Sequence, residues 1–172
     1  MPRMDISLAP KTRTRPTVKQ IRGLAAACLA FAGSLMLGFN PSHAADGQID
    51  LSAYKGKVVY LDFWASWCGP CKNSFPYMEN LKAAHAGDDL VIITVNLDHS
   101  RQKADAFLKS LNSDLNVVYD PKGSLASTYR IKDMPTSLLI GRDGRVRYVH
   151  NGFFPAQTAE YRAQIESLLR EK

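Results

Sequence analysis

Two apolar runs, rich in β-branched and aromatic side chains, mark the centre of a predicted sheet. They cover Val58 to Ala65 and Leu90 to Asn96, and runs of this kind are typical of parallel strands buried on both faces. A polar lead-in precedes them, in which Leu51 and Tyr54 would pack onto the domain. The pattern therefore predicts two central strands.

Helical spacing of apolar residues follows each of these strands. The segment from Cys71 to about His85 has apolar positions three apart. This spacing predicts a helix, with Gly87 as its C-cap and a kink at Pro76, which removes one backbone hydrogen bond. A second amphipathic pattern predicts a helix from Arg101 to Leu111 with Ser100 as its N-cap.

The second half of the domain combines short elements with turn residues. Leu115 to Tyr119 is a predicted strand, ended by the turn Asp120-Pro121-Lys122-Gly123 and followed by a brief helix from Ser124 to Tyr129. Two further strands, Thr136 to Ile140 and Val146 to His150, flank an Asp-Gly pair that favours a hairpin.

The last predicted element is an amphipathic helix from about Thr158 to Arg170. Strands and helices alternate in the first part of the domain, and a hairpin and a helix close it. This order predicts an α/β fold with a mixed sheet and helices on both faces.

Charge is unevenly distributed along the 172 residues, whose formal net charge is +6. Residues 1–44 hold six basic side chains against one acidic one, whereas the remainder holds 16 basic and 15 acidic side chains. The basic character belongs to the N-terminal segment, so nucleic acid is not expected as a partner of the folded part. Residues 45–172 suit a single domain with its own core.

Residues 1–44 have the parts of a secretory signal peptide. A basic start precedes an uncharged apolar stretch from Gly23 to Phe39, and Ser42 and Ala44 supply the small-x-small spacing of a cleavage site. Cleavage after Ala44 would release the domain into the periplasm. The alternative is an uncleaved membrane anchor, because 17 apolar residues lie near the lower limit for crossing a bilayer. Cys28 is interpreted as a small residue of the apolar stretch.

Two cysteines, Cys68 and Cys71, join the first strand to the first helix. A thiolate attacks disulfides and a thiol does not, and a helix N-terminus lowers a thiol pKa. Cys68 is therefore predicted as the exposed attacker, and Cys71 as the shielded thiol that resolves the mixed disulfide. Gly69 would let another backbone approach, and Pro70 would fix φ at the helix start. The alternatives are a structural disulfide and half of a zinc site, whose other ligands have no helpful spacing.

Asp62 interrupts the first apolar run. Asp is depleted from strands, and a buried carboxyl has a raised pKa, so Asp62 would take and return the proton of Cys71, directly or through water. The alternative is a strand-end Asp bonded to a backbone N–H.

Together these residues resemble the thioredoxin superfamily. The matching segment is Asp62-Phe63-Trp64-Ala65-x-Trp67-Cys68-Gly69-Pro70-Cys71-Lys72, accompanied by Pro76 and Met134-Pro135-Thr136. The signal peptide and the long connection from Asn96 to Pro135 are similar to the exported TlpA/ResA type of thiol:disulfide oxidoreductase. The resemblance implies a thioredoxin fold: a central mixed β-sheet flanked by helices, with an inserted helix-strand segment before a cis-proline.

The resemblance also implies roles around the dithiol. Pro135 would be the cis-proline that faces it, with Met134 offering its backbone to an extended substrate segment and Thr136 next to them. Trp67 would form an apolar wall beside the attacking cysteine, and Asp62 would be the proton acceptor of the superfamily.

Three further positions lie near the predicted site: Thr94, Asp98 and His99. Thr94 stands where thioredoxins carry a lysine near the buried carboxyl, which leaves that carboxyl without its usual charge partner. Asp98 and His99 follow the second strand near the site, and no role is assigned to them.

The resemblance implies an exported disulfide reductase with no metal or other cofactor. By analogy with thioredoxin, a reductant with the same Cys-Gly-Pro-Cys, electrons would come from a membrane donor of DsbD/CcdA kind. They would pass to disulfide-containing client proteins, for example in cytochrome c or metal-centre assembly. The alternatives are a disulfide oxidant or isomerase of the same fold and a non-catalytic thioredoxin-like chaperone module.

Overall fold

The computed structural model describes residues 48–172, so the predicted signal peptide, its cleavage site and Cys28 lie outside the described residues. No helix in residues 48–172 is both long enough and apolar enough to traverse a bilayer. The α-helices and strands are β1 (Val58–Trp64), α1 (Cys71–Ala84), β2 (Leu90–Asn96), α2 (Arg101–Ser110), β3 (Asn116–Tyr119), α3 (Ser124–Thr128), β4 (Thr136–Ile140), β5 (Val146–Asn151) and α4 (Thr158–Arg170). Two short 3-10 helices, Leu51–Tyr54 and Pro155–Gln157, precede β1 and α4.

The strands form one mixed sheet in the order β3-β2-β1-β4-β5. Strands β1, β2 and β3 run parallel, β4 is antiparallel to β1, and β5 is antiparallel to β4. The predicted mixed sheet and hairpin are therefore confirmed. Between β2 and β4 lie α2, β3 and α3, as the resemblance implied.

Strand β1 is central, and all seven of its residues are buried. Alternate side chains point to opposite faces of the sheet. Trp64 lies in the larger apolar cluster, together with residues of α1, α2 and α4, and Phe63 lies in a smaller cluster with residues of α3. The Trp64 ring stacks on Phe107 and meets Phe75 edge-on, with ring centroids 4.9 Å apart in both pairs. Trp64 is thus a core residue.

Of the two predicted helix caps, the one at Gly87 is wrong and the one at Ser100 is confirmed in position only. Helix α1 ends at Ala84 with His85 as its C-cap, and Gly87, although its φ is +97°, lies in the turn beyond. Within this turn the His85 ring nitrogen Nδ1 lies 2.9 Å from the Asp88 carboxylate. Ser100 occupies the N-cap position of α2, but its side chain makes no capping hydrogen bond.

Candidate active site

The two cysteines lie where β1 gives way to α1. Cys68 and Cys71 form a disulfide, and their Cα atoms are 5.4 Å apart. The Cys68 N–H donates to the Ala65 carbonyl at 3.1 Å, and the Cys71 N–H donates to the Cys68 carbonyl at 3.2 Å. Pro70 is the N-cap of α1 and already has a helical φ of −61°. The chain therefore enters the helix directly after Gly69, as predicted for Pro70.

The two sulfur-bearing side chains differ in exposure. Cys68 is 6% exposed and Cys71 is fully buried. The prediction of an exposed Cys68 is therefore wrong for the disulfide form, because its sulfur is bonded to a residue of the core cluster. The surface around it is open: Trp67 is 71% exposed, and a Cβ atom on Gly69 would meet no atom within 4 Å. Another polypeptide has room to approach at Gly69.

Asp62 is buried in the middle of β1, with 1% of its surface exposed. Its Oδ2 atom has no hydrogen-bond partner among the described residues. Burial raises the pKa of this carboxyl well above its ordinary value, because the charged form loses its hydration. The alternative of a strand-end Asp bonded to a backbone N–H is wrong, since no such bond is present in the described part of the chain.

Thr94 lies beside Asp62 on β2, in register with it. Its hydroxyl donates to the Asn116 carbonyl at 3.1 Å and is therefore directed away from Asp62. Asp62 shares its face of β1 with Trp64, and this face packs against the helix that carries Cys71. The unpartnered carboxyl and the buried cysteine thus belong to the same side of the sheet.

The Met134–Pro135 peptide bond is cis, as the resemblance implied. Thr136 pairs with Phe63 across β4 and β1, so Pro135 lies next to the end of β1 from which the dithiol loop departs. The Pro135 carbonyl accepts a hydrogen bond of 2.7 Å from the Gly152 N–H. This bond joins the proline loop to the segment that follows β5.

Asp98 holds the dithiol loop, a contact that the sequence analysis missed. Its carboxylate is 4% exposed and accepts hydrogen bonds of 2.8 Å from the Ser66 N–H, the Ser66 hydroxyl and the Asn96 amide. Ser66 stands two residues before Cys68, so these bonds tie the loop to the end of β2. The available signal was a pair of polar residues, Asp98 and His99, separated by one residue from the end of a buried strand. His99, the neighbouring residue, is exposed.

Within residues 48–172, no three His, Cys, Asp or Glu side chains are grouped so that they could hold a metal ion. The thioredoxin fold, the Cys-Gly-Pro-Cys disulfide at the start of a helix and the adjacent cis-proline define a thioredoxin-like redox protein. The sequence pattern of the Redoxin family matches residues 31–165. The chain therefore belongs to the Redoxin family.

Similar proteins share the motif and the fold. The thiol-disulfide oxidoreductase ResA of Bacillus subtilis is 37% identical over 105 residues, which are 61% of this chain and 59% of that protein. ResA of Bacillus thuringiensis is 35% identical over 124 residues, or 72% of this chain and 68% of that protein. The matched part thus spans about three fifths to two thirds of the length of these relatives.

Solved structures of thioredoxin-like proteins are similar to this chain in sequence and in fold. A Chlorobium tepidum protein assigned as thiol:disulfide interchange protein DsbE is 44% identical, with a TM-score of 0.68, and the match covers 70% of this chain and 86% of that one. The exposed lipoprotein thioredoxin Etrx1 of Streptococcus pneumoniae is 36% identical, with a TM-score of 0.57 and coverage of 69% and 90%.

Proposed function

We propose that this chain is an exported thiol:disulfide oxidoreductase that reduces disulfides of client proteins. The observation that carries the proposal is the Cys68–Cys71 disulfide, placed at a helix N-terminus beneath a surface that is open at Gly69. The similarity to proteins named thiol-disulfide oxidoreductase supports it.

The reaction starts from the reduced dithiol. The Cys68 thiolate attacks one sulfur of a client disulfide, forming a mixed disulfide and releasing the other client sulfur as a thiolate that takes up a proton. Cys71 then loses its proton and attacks the Cys68 sulfur. The Cys68–Cys71 bond forms, the bond to the client breaks, and the client leaves with both sulfurs reduced. Two electrons pass from the dithiol to the client.

Asp62 is the proposed acceptor for the Cys71 proton. Cys71 is fully buried, so its proton needs an acceptor inside the protein or a connected water molecule. The carboxyl of Asp62 lies on the face of the sheet that packs against α1, and its pKa is raised by burial. A carboxyl with a pKa nearer to that of a thiol exchanges protons with it more readily than an exposed one does.

Trp67, Gly69, Pro70, Met134 and Thr136 form the proposed client-binding rim. Trp67 gives this rim an exposed aromatic side chain, and the Met134 backbone would pair with an extended client segment as an added strand does. Pro135 holds the loop next to the end of β1, which brings the rim to the dithiol.

The proposed location is the periplasm, and it rests on the signal-peptide pattern of residues 1–44. A reductant in an oxidising compartment needs a supply of electrons, for which a membrane donor of DsbD/CcdA kind is proposed. The proposed clients are proteins that must be reduced before cytochrome c or metal-centre assembly. If the leader stayed uncleaved, the domain would be tethered to the membrane.

Trapping tests both the activity and the assignment of the two cysteines. The Cys71→Ser variant, expressed in its native compartment, is expected to accumulate mixed disulfides with clients through Cys68, because the resolving thiol is gone. Cys68→Ser is the matched control and should trap none. Mass spectrometry of the adducts identifies the clients. Equal trapping by both variants would contradict the assignment, and no adduct with either would favour the chaperone alternative.

The direction of electron flow needs a separate measurement. Equilibration of the dithiol with glutathione or dithiothreitol gives its reduction potential. A value near that of thioredoxin, about −270 mV, agrees with a reductant, whereas a value above about −150 mV would favour the oxidant or isomerase alternative.

A further inference from the structure

A row of four polar side chains crosses the sheet on the face that carries Asp62. Thr94 on β2, Asp62 on β1, Ser137 on β4 and His150 on β5 are in register with one another. Residues directly opposite on neighbouring strands point to the same face, with Cβ atoms about 5 Å apart. Thr94 donates away from the row, so Asp62, Ser137 and His150 form its functional part.

Two buried atoms of this row lack hydrogen-bond partners among the described residues: Asp62 Oδ2 and His150 Nδ1. The His150 Nε2 atom lies 2.7 Å from the Gln164 amide oxygen, and the Gln164 amide nitrogen donates to Glu160 at 3.1 Å. Nε2 therefore carries the hydrogen, and Nδ1 is left as an acceptor. Burial lowers the pKa of His150, which favours this neutral form.

Ser137 stands between these two atoms and has the bonding capacity that they need. Its hydroxyl oxygen accepts a hydrogen bond of 2.9 Å from the Tyr60 hydroxyl. A hydroxyl offers one hydrogen and two lone pairs, so one lone pair and the hydrogen remain. A protonated Asp62 needs an acceptor, and His150 Nδ1 needs a donor. One hydroxyl can therefore satisfy both orphaned atoms at once.

We propose that Ser137 is a positioning residue for the proton step, linking Asp62 to His150. This inference rests on the proposed function, in which Asp62 accepts the proton of Cys71. When Asp62 holds the proton, its O–H donates to the Ser137 hydroxyl oxygen, and the Ser137 hydrogen points to His150 Nδ1. When Asp62 is ionised, the Ser137 hydrogen turns to the carboxylate, because charge-assisted bonds are roughly twice as strong as neutral ones.

Neither contact is made in the disulfide form, in which Cys71 has no proton to transfer. Ser137 is the direct cross-strand neighbour of both residues, so one bridging water, or a rotation of the Asp62 or His150 side chain, would make each contact in the reduced protein. The Tyr60 hydroxyl, on a fully buried side chain, fixes the Ser137 hydroxyl between its two partners through the hydrogen bond that it donates.

The ionisable groups near the polar row include no cation that would compete with Ser137 for the Asp62 carboxylate among the described residues. Tyr60, Tyr77 and Tyr161 lie near enough to interact electrostatically, and burial raises the pKa of each, that of Tyr77 to about 12. Tyr77 lies on α1, which also contributes the Cys71 thiol to this face once the disulfide is reduced. On α4, Glu160 acts on His150. No cation of the described residues lowers the pKa of Asp62, which burial raises.

The test is a titration of the reduced protein by NMR, observing the Asp62 carboxyl carbon and the His150 ring nitrogens. In Ser137→Ala, the Asp62 pKa should rise by about one further unit, because the ionised form loses its hydrogen-bond donor. The His150 Nδ1 resonance should move as its donor disappears. Thr94→Val is the matched control: it removes a hydroxyl at the same register distance from Asp62 and should change neither signal. Ser137→Thr keeps a hydroxyl and should restore both.

The wild-type protein gives a second test that needs no variant. Its His150 Nδ1 resonance should show a step at the pKa of Asp62, because the Ser137 hydrogen leaves Nδ1 as the carboxyl ionises. The absence of that step overturns the inference, as does an unchanged Asp62 pKa in Ser137→Ala or an equal shift in Thr94→Val. These signals do not depend on catalysis. Loss of client reduction with the NMR coupling intact would therefore refute the proposed function alone.

Discussion

The buried carboxyl of Asp62 should make the folded protein less stable as the pH rises, which is the opposite of what an ion-paired carboxyl does. Its Oδ2 atom has no partner among the described residues, and burial raises its pKa well above the ordinary value. The unfolded chain has an Asp pKa of about 3.9. Between that pH and the folded pKa, the folded state holds a proton that the unfolded state has lost.

The sign and slope follow from this difference of one proton. The stabilisation from Asp62 is fully present below about pH 3.9 and is lost as the pH rises through the folded pKa. Within that window the free energy of unfolding falls by about 1.4 kcal/mol per pH unit. Asp62→Asn has no proton to lose, so its stability relative to wild type should rise with the same slope and then level off.

Urea unfolding of the disulfide form between pH 4 and 9 measures this effect, because the bonded cysteines then add no titration in the folded state. Asp89→Asn is the matched control: Arg142 lowers the pKa of Asp89, so its contribution is lost only below about pH 3.9, and the stability difference from wild type should stay nearly constant between about pH 4 and 9. Parallel stability curves for wild type and Asp62→Asn would refute the account of Asp62 as an uncompensated buried carboxyl.

Two further variants test the surface and the loop of the site. Trp67→Ala should change the free energy of unfolding by less than about 0.5 kcal/mol and slow client reduction about tenfold. Val149→Ala, also at an exposed apolar residue, should leave the rate of client reduction unchanged. Equal slowing by both variants would contradict the proposed rim. Asp98→Ala should lower the free energy of unfolding in urea by about 3 kcal/mol, whereas Ser66→Ala, which keeps the bond from Asn96 to Asp98, should lower it by about 1 kcal/mol. A small and equal loss of stability in both variants would show that Asp98 does not hold the loop.

The sequence was sufficient for the central features because their signals are local. Continuous apolar runs identified β1 and β2, and the spacing of apolar residues identified α1, with Cys71 as its first residue and Cys68 in the loop before it. The buried state of Asp62 followed from its place inside an apolar run. The cis bond before Pro135 came from family resemblance, since local preference alone favours trans.

Tertiary structure decided which distant residues meet. The Asp98 carboxylate binds Ser66 across 32 residues of sequence, and the Tyr60 hydroxyl reaches Ser137 across 77. The low exposure of Cys68 likewise depends on the core into which its bonded partner is packed. Periodicity shows which face of an element is buried, but the pairing of polar groups between elements depends on strand register and loop path. For this reason the dithiol and Asp62 were found from the sequence, whereas their supporting hydrogen bonds became visible only in the folded chain.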